Sequence, residues 1–183
     1  ALAHDSGFSA SLWGTNVDFN DGDEASTEVD ATAAYTLPLG PGDFTLGGIY
    51  YAYPRSDSGL DYDYIEAFAG YAFKAADIAT IHTQVFYSPN FFAGSGDSVY
   101  AITSLTAPLP ALKNMSLNAS LSHQWIEDNA QFGAEDYADW SLGASYTWEK
   151  ANFSLTYHDT DIDDTDCSSL CDQRVVGAIS YSF

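Results

Sequence analysis

Apolar and polar residues alternate with period two through most of this chain, and that alternation restricts the possible folds more than any other feature. In DWSLGASYTW, Trp140, Leu142, Ala144, Tyr146 and Trp148 alternate with Asp139, Ser141, Gly143, Ser145 and Thr147. In MSLNASLSHQW, Met115, Leu117, Ala119, Leu121 and Trp125 alternate with Ser116, Asn118, Ser120, Ser122 and Gln124. VDATAAYTL sets Val29, Ala31, Ala33, Tyr35 and Leu37 against Asp30, Thr32, Ala34 and Thr36. The end of the chain, VVGAISYSF, repeats the pattern with Val175, Gly177, Ile179, Tyr181 and Phe183 on one parity. At helical spacing these residues would scatter around a cylinder. At period two each segment is a strand with one apolar face and one small or polar face.

Ten such strands are predicted, over residues 7–19, 26–39, 43–53, 62–74, 77–88, 97–109, 114–126, 137–149, 151–159 and 173–183. The first slips in phase near Gly14, where a bulge is expected. Short connections (LGPGD, KAAD, LPALKN and EKA) alternate with long ones (NDGDEA, PRSDSGLDY, PNFFAGSG, EDNAQFGAED and 159–172). Strict alternation means an up-and-down antiparallel meander in one domain, 1–183, with tight turns at one end and long loops at the other. Lys74, Lys113 and Lys150, all the lysines of the chain, lie in short turns. Most acidic residues lie in the long loops or the strand ends beside them.

Two solvents are compatible with such strands. In a soluble barrel or sandwich the apolar face packs inward. In a membrane barrel it faces lipid and the polar face lines a lumen. Strand length favours the membrane, because a tilted strand of about 9–11 residues crosses a bilayer. Aromatics also gather at both strand ends: Tyr35, Phe44, Tyr71, Phe73, Trp148, Phe153, Tyr181 and Phe183 near the short turns, and Trp13, Phe19, Tyr87, Trp125, Trp140 and Tyr157 near the long loops. Paired girdles of this kind mark the two interfaces of a membrane barrel. Charge stays on the polar parity, as in Glu28, Asp30, Glu66, Asp139 and Arg174. The fold expected is therefore all-β, a transmembrane up-and-down antiparallel barrel. With 26 acidic residues against 5 Lys and Arg, a formal net charge of −21 excludes binding nucleic acid through its phosphates.

The last strand, with Ile179, Tyr181 and a terminal Phe183, resembles the C-terminal signature that the insertion machinery recognises in bacterial outer-membrane barrels. The segments SGFSASLWGTNVDF, STEVDATAAYTLPLGPGDFTLGGIYYAYP, FYSPNFF, DWSLGASYTW and RVVGAISYSF together resemble the TorF-like family of proteobacteria, whose members are assigned as outer-membrane porins. The resemblance covers nearly the whole chain and carries no catalytic signature. It implies a Gram-negative outer membrane, with lipid and lipopolysaccharide around the barrel, periplasmic short turns and outward long loops. Members of that family usually extend further at the N-terminus, and ALAHDSG reads as the tail of a strand and a turn. A barrel of about 12 strands in the intact protein would keep an even count.

On the polar parity, Glu28, Asp30, Glu66, His82, Asp139, His158 and Arg174 are candidate pore-lining residues. Their excess negative charge would attract cations and repel anions, giving a cation-preferring porin that passes small solutes or ions by passive diffusion. The opposing reading is that these charges pair with Arg174 or water and no continuous pore exists. Tyr51, Tyr53, Tyr64, Phe68 and Phe86 share the inner parity and are candidates for a constriction. A barrel that conducts nothing and presents acidic loops for adhesion or envelope organisation is a further alternative, as is a barrel hydrolase.

Cys167 and Cys171 sit in an Asp-rich loop without two more ligands for zinc. A local disulfide in an oxidising compartment is expected, with a free thiol pair as the alternative. Asp159, Asp161 and Asp163 alternate in that loop, but Asp164 and Leu170 stand where a calcium-binding EF-hand needs Gly and Glu. They carry only a weak candidate site for a divalent cation, and no cofactor is implied. For catalysis, His158 with Asp159, His82 with Ser88, and Ser122 with His123 are the pairs to weigh. Their convergence is not readable from sequence, and no catalytic residue is assigned. A homo-oligomer is compatible with the pattern, although no break in the apolar stripe marks a subunit interface.

Overall fold

A computed structural model of the chain describes residues 1–19, 25–57, 59–76, 78–163 and 171–182. They form a single sheet of eleven antiparallel strands in which each strand pairs with the next, without a crossover. The strands are β1 (Leu2–Ala3), β2 (Phe8–Asn16), β3 (Thr27–Leu39), β4 (Gly42–Ala52), β5 (Tyr64–Ala75), β6 (Ala79–Ser88), β7 (Ser98–Pro108), β8 (Met115–Ile126), β9 (Tyr137–Trp148), β10 (Ala151–Thr160) and β11 (Arg174–Tyr181). Among the described residues, helix is confined to a 3-10 turn at Phe92–Gly94 and one turn, α1, at Asn129–Phe132. Among the described residues no helix is long and apolar enough to cross a membrane.

The count differs from expectation by the first strand. Leu2 pairs with Ala10 and Ala3 with Ser9, so the opening residues do form a strand and a turn, but two residues are too few to display a period. The remaining ten begin and end within about three residues of their expected bounds, the usual uncertainty of strand ends. All five tight turns carry a residue with positive φ: Gly7, Gly40, Ala76, Asn114 and Glu149. Gly7 is required at its turn, because a Cβ there would strike the Thr36 carbonyl oxygen.

The register keeps the two parities apart across the sheet. Phe8, Tyr35, Leu46, Ala69, Val85, Ala101, His123 and Ala138 form one row of paired residues on the apolar face. The neighbouring row is Ser9, Ala34, Gly47, Phe68, Phe86, Tyr100, Gln124 and Tyr137. Pairing of β2 with β3 runs unbroken from Phe8–Tyr35 to Asn16–Thr27, so the bulge expected near Gly14 is absent. Trp13 consequently stands on the polar face, opposite Asp30, and does not join an aromatic girdle.

Burial is inverted relative to a water-soluble protein. Leu12 is 75% exposed, Leu121 63% and Leu155 61%, whereas Gln124 is 3% exposed and Glu66 8%. Water would not tolerate such a continuous apolar outer face, and lipid would. Phe19 and Cys171, from the first and last long loops, line one cavity, so the sheet curls until its loops converge. Among the described residues, no strand pairs with the free edge of β1 or with that of β11.

Candidate functional site

The concave face of the sheet and the loops over one end of it form the site. At the long-loop end, Ala25, Tyr53 and Tyr62 make a buried cluster with Phe19 and Phe92 packed against it. Tyr62 stacks on Phe92 with ring centroids 4.5 Å apart, and Phe19 meets Phe92 edge-on at 5.1 Å. Phe91 packs edge-on against Tyr64 at 4.9 Å and lies 5.6 Å from Phe132. These rings come from four loops and the strand ends beneath them.

Polar contacts hold the loops in place. Asp63 accepts the Tyr53 N–H at 2.8 Å, and the Ser56 hydroxyl donates to the Tyr53 carbonyl at 2.8 Å, which fixes the chain leaving β4. Glu127 accepts the Asp97 N–H at 3.0 Å, and Asp136 accepts the Ile126 N–H at 2.9 Å. Asp128 caps α1 by accepting from the Gln131 N–H at 2.9 Å. The Gln131 amide then donates to the Ala93 carbonyl at 2.8 Å and ties two long loops together. Much of the acidic content of the loops therefore serves as hydrogen-bond acceptor for backbone N–H groups.

Beneath this cluster lie carboxylates. Glu28 and Asp30 are on β3 and Glu66 on β5, all on the concave face. The Tyr51 hydroxyl donates to Glu66 at 2.8 Å, and the Tyr51 ring stacks on Tyr64 at 4.3 Å, with the planes 13° apart. Tyr53 lies just past the end of β4. Burial pushes its phenol up, and the nearby Glu28 and Asp30 charges push it further. Asp30 Oδ1 is buried with no hydrogen-bond partner among the described residues. Farther round the sheet, Asp139 on β9 accepts from the Tyr100 hydroxyl at 3.1 Å.

The remaining inner-face residues fall into two further groups. Phe68 and Phe86 are cross-strand partners with centroids 5.4 Å apart. Gly47 opposite Phe68 is needed for this, since a Cβ there would come within 2.6 Å of the ring's Cε1. His82 is cross-strand from Ala72 and Ser104. His158 pairs with Arg174 and Ser141, and His158, Arg174 and Asp139 share a cavity of about 460 Å³. The concave face thus brings Glu28, Asp30, Glu66, Tyr51, Tyr53 and Tyr64 together, with Asp139, His158 and Arg174 as a second group.

Of the pairs considered for catalysis, Ser122 and His123 do not assemble. His123 stacks on Trp125 at 4.3 Å on the apolar face, while Ser122 donates to the Asp139 carbonyl on the other. Asp159 accepts from the Tyr157 hydroxyl at 2.7 Å and Asp161 from the Ala138 N–H at 2.6 Å. Those two candidate metal ligands are thereby turned to separate protein donors, and among the described residues no group of three potential ligands gathers with Asp163. Cys167 and Phe183 lie outside the described residues, and with them the expected disulfide to Cys171 and the last residue of the insertion signal.

Sequence reasoning placed Gln124 on the polar parity without giving it a role, and it passed over Tyr100 and Tyr137 on the inner face, although their parity was readable. It also passed over Tyr62, Phe91, Phe92 and Phe132, and it assigned Phe19 to a girdle. The available signal was the number of aromatics, including the pair in PNFFAGSG, within loops that otherwise look solvated.

Over its whole length, residues 1–183, the chain matches the model of a family described as a bacterial protein of unknown function, Gcw_chp. No curated protein sequence matches it. Among solved structures it is similar to a porin refined at 1.8 Å resolution, with a TM-score of 0.51 and 16% identity, over 98% of this chain and 59% of the porin. At that identity the likeness is one of fold, and the chain spans under two thirds of the porin's length.

Proposed function

The chain belongs to the Gcw_chp family of bacterial proteins, and from its porin-like sheet we propose that it works as a small outer-membrane channel. The observation that carries this reading is the inverted burial: a continuous apolar face is exposed while a polar face bearing carboxylates is enclosed. Strands β3 to β10 have 10–13 residues each, long enough to cross a bilayer at a tilt. In this reading Glu28, Asp30, Glu66 and Asp139 line a lumen together with His82, His158 and Arg174, and their negative field favours cations. Tyr51, Tyr53, Tyr64, Phe68 and Phe86 narrow it. Lipid and lipopolysaccharide surround the apolar face, and Ile179, Tyr181 and Phe183 form the signal read on insertion. The TorF-like resemblance and a Cys167–Cys171 disulfide in the last long loop belong to the same proposal.

One observation favours a second reading. The aromatic cluster of Phe19, Tyr53, Tyr62 and Phe92 lies across the long-loop end and would make a plug as readily as a filter. Reconstitution of the protein in a planar bilayer under a KCl gradient separates the two. Stepwise conductance with a cation-selective reversal potential is the expected result. An inserted but silent barrel would transfer the function to its outer loops.

A further inference from the structure

Between the loop aromatics and the inner face lies a cavity of about 440 Å³ that neither diffusion nor a plug requires. Seven of its lining residues are aromatic rings drawn from loops and strand ends: Phe19, Tyr53, Tyr64, Phe91, Phe92, Phe132 and Tyr137. None of its lining residues is Lys or Arg, in a chain whose formal charge is −21. Two of its walls lead directly to carboxylates. Tyr53 lies in the field of Glu28 and Asp30, and Tyr64 stacks on Tyr51, whose hydroxyl donates to Glu66 at 2.8 Å.

We propose that this cavity binds a small organic cation with an apolar body, of the quaternary ammonium or protonated arylamine class. Three ligand classes compete for such a site. An anion would meet Glu28, Asp30 and Glu66 without a cation to offset them. A neutral apolar molecule would fill the rings but leave the enclosed carboxylates uncompensated. A small inorganic cation would keep its water and gain little from aromatic walls. An organic cation uses both features, with aromatic rings around its methyl or aryl groups and carboxylates beyond Tyr53 and Tyr64.

The inference rests on the reading of a polar lumen for the ligand's route, and its test separates the two. Refolded full-length protein in detergent is titrated calorimetrically with benzyltrimethylammonium chloride, with benzyl alcohol as the neutral counterpart. Saturable binding of the cation is expected, with little of the alcohol. Replacing one ring face, Phe92→Leu or Tyr64→Leu, should weaken binding about tenfold, whereas Tyr64→Phe should retain it. Heat-modifiable mobility on SDS gels identifies variants that fail to fold, and two independent leucine variants keep the test open if one does. Equal affinity of the wild type for alcohol and cation, or unchanged affinity in both leucine variants, would overturn the proposal. Conductance without saturable cation binding removes the site and leaves the channel. Binding to a silent barrel removes the channel and leaves the site.

Discussion

Leu121 and Ser122 are neighbours in β8, and they stand on opposite faces of the sheet. Leu121 is 63% exposed on the convex face, whereas Ser122 is 4% exposed on the concave face and donates to the Asp139 carbonyl. The same contrast holds along β8 for Leu117 against Asn118, which reaches Ser145 on β9. Polar side chains are enclosed and satisfied by one another, and apolar side chains are left outside. In water this arrangement would forfeit the hydrophobic contribution to folding and expose the whole apolar face to aggregation. In lipid it is the stable arrangement. The difference between two adjacent residues thus supports the proposed membrane setting as well as the fold.

The largest expected effect breaks the comparison directly. Leu121→Arg, near the middle of β8 on the convex face, should destabilise the protein by about 2–4 kcal/mol when unfolding is measured in lipid vesicles. Ser104→Arg on the concave face should cost far less. If both arginines were equally tolerated, the convex face would not be facing lipid. Next in size is Gly47→Leu, which drives a side chain into the space of the Phe68 ring and should cost about 1–3 kcal/mol by overpacking. Chemical denaturation of that variant beside Gly48→Leu, whose site meets only the Glu66 carbonyl oxygen at 3.4 Å, measures how much tighter the concave face is.

The two ends of the strands give a finer contrast. Asp43 is cross-strand from Ala72 near the short turns, while Glu66 and Asp139 lie toward the long loops. Neutralising Glu66→Gln and Asp139→Asn together should move the reversal potential in a KCl gradient toward zero. Asp43→Asn should move it less, because the field is strongest where the lumen is narrow. The smallest effect is expected for Gln131→Ala, which removes one tie between loops at a cost of about 0.5–1.5 kcal/mol. Limited proteolysis should show faster cleavage in residues 89–97 or 127–136, with the strands unaffected.

Local order in this protein was largely legible without its structure. Period two is a property of neighbouring residues, so the ten long strands, their two faces and the inner parity of Glu28, Glu66 and Asp139 followed from sequence alone. The alternation of short and long connections, also local, implied the meander that the pairing shows. What remained illegible depended on residues far apart in the chain. Whether β2 carries a bulge is decided by its hydrogen bonds to β3, and those bonds put Trp13 opposite Asp30. Whether loop aromatics face a bilayer or one another is decided by the curl of the sheet, which brings Phe19 to Phe92 and Phe91 to Phe132. A strand's own residues determine which way its side chains alternate. Only the closing together of distant loops determines what those side chains meet.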